Sequence, residues 1–187
     1  MTRNFVACKH KVLNRGVAPD AFLNQLVDWA RGASDEIFLE NDIHDIYSNI
    51  TIELGPWNGL QHRKAVMLEV LRVLGGFESS WNWNAGIHED NPESHTPCTE
   101  EAGIFQCSAN SMSFDDSLKQ LLISASGKYD CDTFRSVTKS NHNFAIEYSA
   151  RLIRLTVNHH GPIKRKEINA WLRKDAVTEF EKFLVEE

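Results

Sequence analysis

The chain has 187 residues, 42% of them hydrophobic and 25% charged, a profile that fits a folded globule and excludes a disordered chain. A formal net charge of -6 argues against general nucleic-acid binding, whose long-range part needs a basic surface. No apolar run approaches the roughly 18 residues of a membrane-spanning helix, and the 4 cysteines match no disulfide framework or zinc-ribbon spacing.

The opening MTRNFVACKHKVLNR is polar and basic and lacks an apolar centre, so no secretory signal peptide is read there. Residues 1–17 are expected to form a loosely structured arm. Pro19-Asp20 then starts a helix, with Phe22, Leu23, Leu26, Val27 and Ala30 at helical spacing and Gly32 as its stop. Ser34-Asp35-Glu36 caps a short turn that buries Ile37 and Phe38. From Asp42 to Leu54 the apolar residues Ile46, Ile50, Ile52 and Leu54 alternate weakly, which predicts a short strand or extended segment closing at Gly55-Pro56.

The strongest signal runs from Leu60 to Phe77. Ala65, Val66, Met67, Leu68, Val70, Leu71, Val73 and Leu74 are apolar around more than half the circumference, the pattern of a helix buried at the centre of a domain. It is expected to end at Gly75-Gly76, directly before Glu78. Residues 79–113 carry few regular signals, and an irregular segment that long inside a compact domain is usually functional. Helices are predicted over 115–126, 142–158 and 166–185, with Gly161-Pro162 separating the last two. The sum is a mainly α fold: a helical bundle around a buried central helix, with a long irregular insert.

Glu78 is the first candidate for chemistry. A carboxylate at the C-terminus of an apolar helix meets the negative end of the helix dipole. Phe77, Trp81 and Trp83 beside it would remove water, and both effects raise a carboxyl pKa. An acid kept protonated near neutral pH is what general-acid cleavage of a glycoside requires; without a function, the same residue is an exposed last-turn Glu. Hydrolysis by a carboxylate pair needs a second acid, and Glu101, Asp90 and Glu100 are the candidates. Gly103-Ile104-Phe105-Gln106 could set backbone groups and one amide against an N-acetyl sugar, or be a short strand with a loop Gln. Trp57, Trp81 and Trp83 read either as a sugar-stacking surface or as core. His88, His95, Cys98, Cys107, His159 and His160 fall in no familiar zinc spacing, so neither metal nor other cofactor is called for. Cys98 and Cys107 could close a short disulfide in an oxidising compartment, and Cys107 could act as a nucleophile with a histidine base.

Phe77-Glu78-Ser79-Ser80-Trp81, followed by Glu101-Ala102-Gly103-Ile104-Phe105-Gln106, resembles the catalytic core of lytic transglycosylases and goose-type lysozymes. In that lysozyme-like superfamily a buried helix ends in a catalytic Glu followed by Ser, a Gly-x-x-Gln segment comes next, and a later helix supplies a Tyr. Tyr148 looks like that residue. The likeness covers roughly residues 60–160, as the catalytic core of a single lysozyme-like domain over 1–187, with a C-terminal helical part over 161–187. The arm and the segment from His160-Gly161-Pro162-Ile163 to Trp171 do not fit the best-known members and suggest a divergent bacterial or phage-associated branch.

The resemblance implies an α+β lysozyme-like fold and a peptidoglycan glycosidase. Glu78 would protonate the oxygen between N-acetylmuramic acid and N-acetylglucosamine, Ser79 would orient its segment, and Trp81, Asp90, Gln106 and Tyr148 would meet the sugar. Glu101, which the common transglycosylase pattern lacks, favours a hydrolase with a second carboxylate. The alternatives are a lytic transglycosylase giving 1,6-anhydro products, a non-catalytic glycan-binding module, and a metal- or thiol-dependent wall peptidase. The implied partners are peptidoglycan strands and a cognate inhibitor or immunity protein, with no nucleic acid and no membrane insertion. Such a protein would be made in the cytoplasm and act in the periplasm or outside the cell after non-classical export. Arg151, Arg154, Lys164, Arg165 and Lys166 are the expected contacts to the anionic wall.

Overall fold

The computed structural model describes residues 3–41, 44–86 and 96–185. Helix takes up 64% of the described residues and strand 2%, so the fold is mainly α. In chain order the helices are α1 (Asp20–Gly32), α2 (Ile46–Asn49), α3 (Thr51–Leu54), α4 (Leu60–Ser79), α5 (Asp116–Ser126), α6 (Cys131–Ser140), α7 (His142–Leu155), α8 (Gly161–Lys164) and α9 (Lys174–Val185). Short 3-10 turns cover Ala7–Lys9, Asp35–Phe38, Ala109–Phe114 and Glu167–Trp171. Strands β1 (Glu101–Ala102) and β2 (Cys107–Ser108) form one antiparallel pair, with Glu101 opposite Ser108 and Ala102 opposite Cys107. Among the described residues, no helix is long and apolar enough to cross a membrane.

Helix α4 is the axis of the molecule. It is buried from Arg63 to Gly76 and packs against α1, α7 and α9, as its all-round apolar sequence demands. Burial includes one ion pair: Arg72 donates to Glu69 through Nε at 2.7 Å and Nη2 at 2.8 Å, with both side chains fully inaccessible. Charges out of water need every lone pair and proton satisfied. Here Arg72 also donates to the His10 carbonyl at 3.1 Å, and Glu69 accepts from the Arg173 N–H at 2.9 Å. The pair therefore ties the chain's two ends to its central helix.

The structure corrects several sequence expectations. Residues 3–17 are no loose arm: Phe5, Cys8 and Val12 are buried, and Glu179 on α9 accepts from the Val6 and Cys8 N–H groups. The expected strand before Gly55 is the helix pair α2–α3. Asp45 opens α2 as a capping box, accepting from the Tyr47 and Ser48 N–H groups, and Ile46, Tyr47 and Ile50 are buried while Ile52 is exposed. The helix expected over 166–185 is a 3-10 turn followed by α9, and α6 is an additional helix.

Helix α4 does not stop at Gly75-Gly76 but runs to Ser79. The glycines serve the ring of Trp81. A Cβ on Gly76 would lie 2.8 Å from Trp81 Cζ2, and one on Gly75 3.2 Å from Trp81 Cδ1. Ser80 and Trp81 both take left-handed backbone, with φ of 55° and 60°, a conformation that costs a non-glycine residue energy. The turn is repaid by bonds from the Ser80 N–H to the Gly76 carbonyl and from the Trp81 N–H to the Gly75 carbonyl. The indole folds back, its Nε1–H donating to the Arg72 carbonyl at 2.9 Å. Glu78 thus sits in the last turn of a helix whose end is locked.

Candidate active site

The Glu78-Ser79 pair and the Gly103–Gln106 turn meet in space. Ser79 Oγ donates to the Ile104 carbonyl at 2.8 Å and accepts from the Asn82 N–H at 3.0 Å. The Gly103 N–H reaches the Ala85 carbonyl at 2.9 Å, closing the turn onto the segment that leaves α4. Gly103 has φ of +74°, and a Cβ there would lie 2.7 Å from Thr138 Cγ2 on α6, so conformation and space both call for glycine. Between these segments lies a cleft of about 270 Å³ lined by Arg15, Glu78, Ser79, Ser80, Asn82, Ala85, Gly86 and Gln106.

Two side chains lining the cleft are polar and largely buried. The Glu78 side chain is 16% exposed, sunk in the wall with a face to the cleft. Gln106 is 3% exposed. Its Nε2–H donates to the Gly103 carbonyl at 2.7 Å, while its Oε1 has no partner among the described residues. A buried acceptor without a donor costs free energy until something fills it. An amide or hydroxyl donor would do so. Arg15 brings a cation to the rim.

Behind Glu78 is a residue that spacing did not single out as its partner. His160 Nδ1 lies 3.3 Å from Glu78 Oε1. Its Nε2 lies 3.9 Å from Cys107 Sγ, and that sulfur is 3.3 Å from Ser149 Oγ on α7. Burial alone would push the His160 imidazole down. Hydrogen bonding to Cys107 and Glu78, reinforced by their charges, outweighs burial and brings it up to about 10. Neighbouring His159 goes the other way, to about 3, through burial first and the charge of His160 second.

Other expected site residues lie elsewhere. Trp81 is 6% exposed and packs inward as described, so it offers no face to a sugar. Trp83 stacks on His142 with ring centroids 3.8 Å apart, and Trp57 lines a separate cleft with Tyr47 and Arg63. Tyr148 is fully buried on α7, ringed by Phe134 and Phe144. Its hydroxyl sits 2.7 Å from Ser111 Oγ, so it does not line the cleft. Burial pushes that phenol up. Glu101 is exposed on β1 and is not among the residues lining the cleft, because its neighbour Ala102 takes the inward position of the strand. Glu100 pairs with Arg135. Asp90 lies outside the described residues, as do His88, Glu89, Glu93 and His95.

The disulfide joins Cys98 to Cys131 at the start of α6, not to Cys107. Cys107 faces inward from β2 toward Ser149 and His160 and is 1% exposed, which denies it the access a nucleophile needs. Cys107, His159 and His160 bring donor atoms within 4.8 Å of one another, a wider spread than the ~3.5 Å between donors around a tetrahedral zinc. Their contacts are those of a thiol–imidazole–carboxylate chain ending at Glu78. The expected basic cluster is dispersed: Arg154 is buried on Asp45 at 2.6 Å, Arg151 pairs with Glu147, and Arg165 with Glu167. No protein-family model, curated protein or solved structure matches the chain.

Proposed function

We propose that the protein is a peptidoglycan glycosidase of lysozyme-like fold, with Glu78 as the general acid at the bond between N-acetylmuramic acid and N-acetylglucosamine. One observation carries this reading: the Ser79–Ile104 hydrogen bond holds together the two segments that bring Glu78 and Gln106, whose buried amide oxygen has no partner among the described residues, to the lining of one cleft. Glu78 delivers its proton to the leaving oxygen as the bond to the anomeric carbon breaks. Gln106 accepts from the sugar, and Arg15 meets the carboxylates of the muramic acid or its stem peptide.

The position of Glu101 outside the cleft lining favours the transglycosylase form over the two-carboxylate hydrolase. There the substrate's own C6 hydroxyl closes on the anomeric carbon, and its proton goes to the Glu78 carboxylate. Atoms balance: one C–O bond breaks, one forms, and Glu78 ends as it began. This chemistry places the protein against the cell wall, where a cognate inhibitor would have to cover the same cleft. The test is turbidity loss of purified peptidoglycan with wild type and with Glu78→Gln. The reading expects loss with the first only; equal loss with both would end it.

A further inference from the structure

His160 and Cys107, which stand behind Glu78, are unused by the chemistry above. His160 is 3% exposed and held from both sides, at 3.3 Å by Glu78 Oε1 and at 3.9 Å by Cys107 Sγ. It precedes α8, whose Pro162 fixes the first turn, and Ile163 anchors that turn in the core. The imidazole is therefore a rigid fixture, and its contact uses one oxygen of Glu78.

We propose that His160 is the positioning residue of Glu78: it holds Oε1 from behind, leaves Oε2 to the cleft, and keeps one proton shared within the pair. This deepens the reading of Glu78 as the acid and rests on it. In the resting site one proton belongs jointly to Nδ1 and the carboxyl. When that proton passes from the Glu78 carboxyl to the glycosidic oxygen, Glu78 is left a carboxylate and His160 neutral. When the substrate hydroxyl closes on the anomeric carbon, its proton returns through the carboxyl to Nδ1. Nothing is consumed.

Every charged or titratable group near the pair bears on this exchange. Cys107 Sγ on β2 is a weak acceptor for the Nε2–H, 3.9 Å away. His159 lies beside His160, with ring centroids 4.9 Å apart. Arg165 after α8 feels the Glu78 charge, and Arg15 stands on the cleft rim. The raised affinity of His160 for its proton agrees with the pairing. The imidazole thus holds its proton to a higher pH than a free imidazole would.

Two measurements test the proposal. The first is the NMR titration of the His160 ring in wild type and in Glu78→Gln, which needs no activity. The expected result is a midpoint above that of a free imidazole in wild type, falling by about one pH unit or more in the variant. The second is the pH profile of peptidoglycan cleavage by His160→Asn, whose amide nitrogen replaces Nδ1 without titrating. It is expected to keep KM within about twofold, lower kcat at pH 8 by about tenfold or more, and move the alkaline limb about one unit toward acid. An unmoved ring midpoint overturns the proposal, and so does an alkaline limb identical to wild type in a folded His160→Asn protein. If wild type cleaves no glycan, the reading of Glu78 falls, and the ring titration still decides whether the pair shares its proton.

Discussion

Replacing Gly76 by alanine probes the lock that seats Glu78. In the interior of a helix this change ordinarily stabilises by about 0.5–1 kcal/mol, because glycine has more backbone freedom to lose. Here the new Cβ would stand 2.8 Å from Trp81 Cζ2 and 3.1 Å from Val12 Cγ1. Neither neighbour can retreat: Trp81 is 6% exposed with its Nε1–H bonded to Arg72, and Val12 is fully buried. Overpacking of this kind costs about 1–3 kcal/mol, so the net expectation is a loss of about 1–2 kcal/mol. Gly32, the last residue of α1, is the control, since a Cβ there meets nothing within 4 Å. Gly32→Ala should be neutral or mildly stabilising. The assay is urea unfolding followed by circular dichroism, on both single variants and on Gly76→Ala in a Trp81→Ala background. There the cost should largely vanish, because the obstacle is gone. A Gly76→Ala protein as stable as wild type, or an equal cost without Trp81, would refute the packing argument.

Other outcomes follow from the same structure. Cys98→Ser opens a cross-link spanning 33 positions and should cost about 2–4 kcal/mol by the loop-entropy estimate; an unchanged melting temperature in reductant would count against the bridge. Glu69→Gln leaves the Arg72 guanidinium in the core without its counter-charge, expected to cost about 3–5 kcal/mol in urea unfolding, and a loss below about 1 kcal/mol would show that water reaches the pair. The two adjacent histidines give stability opposite slopes with pH. His159, held down to about 3, favours the folded state when neutral, so its contribution fades as pH falls below about 6.5 toward 3. His160, raised to about 10, contributes fully below about 6.5 and loses its share as pH rises toward 10. Denaturation midpoints across that range should show the acid-side slope flattened in His159→Gln, and an unaltered slope would place the titration elsewhere.

Long amphipathic or all-apolar periods made α1, α4, α5 and α7 legible, because burial of one face or all faces writes itself into the spacing. Helix α6 left little trace: among its residues only Phe134 and Thr138 are buried, and its place is set by the Cys98 bridge and by Gly103 against Thr138. Residues 45–54 misled because two short helices in series mimic alternation when each buries only a few side chains. At the site, Glu78-Ser79 and the Gly103–Gln106 turn were readable as motifs. Each piece carries a local requirement, a helix end or a positive φ, that only certain residues meet. Tyr148 matched in order but not in direction, since its face of α7 turns toward Phe134 and Phe144. His160 was legible only as a candidate metal ligand, not as the partner of Glu78, and Arg15 not at all. Their roles depend on the chain ends folding back onto α4, and no local pattern encodes that.

Whether Glu78 cleaves the glycan strand is decided by mass spectrometry of the soluble fragments released from purified peptidoglycan. The expected products are disaccharide peptides cut at N-acetylmuramic acid, ending in 1,6-anhydro rings, and none of them from Glu78→Gln. Fragments cut within the stem peptide with every glycan bond intact, or identical glycan fragments from the variant, would contradict that role of Glu78.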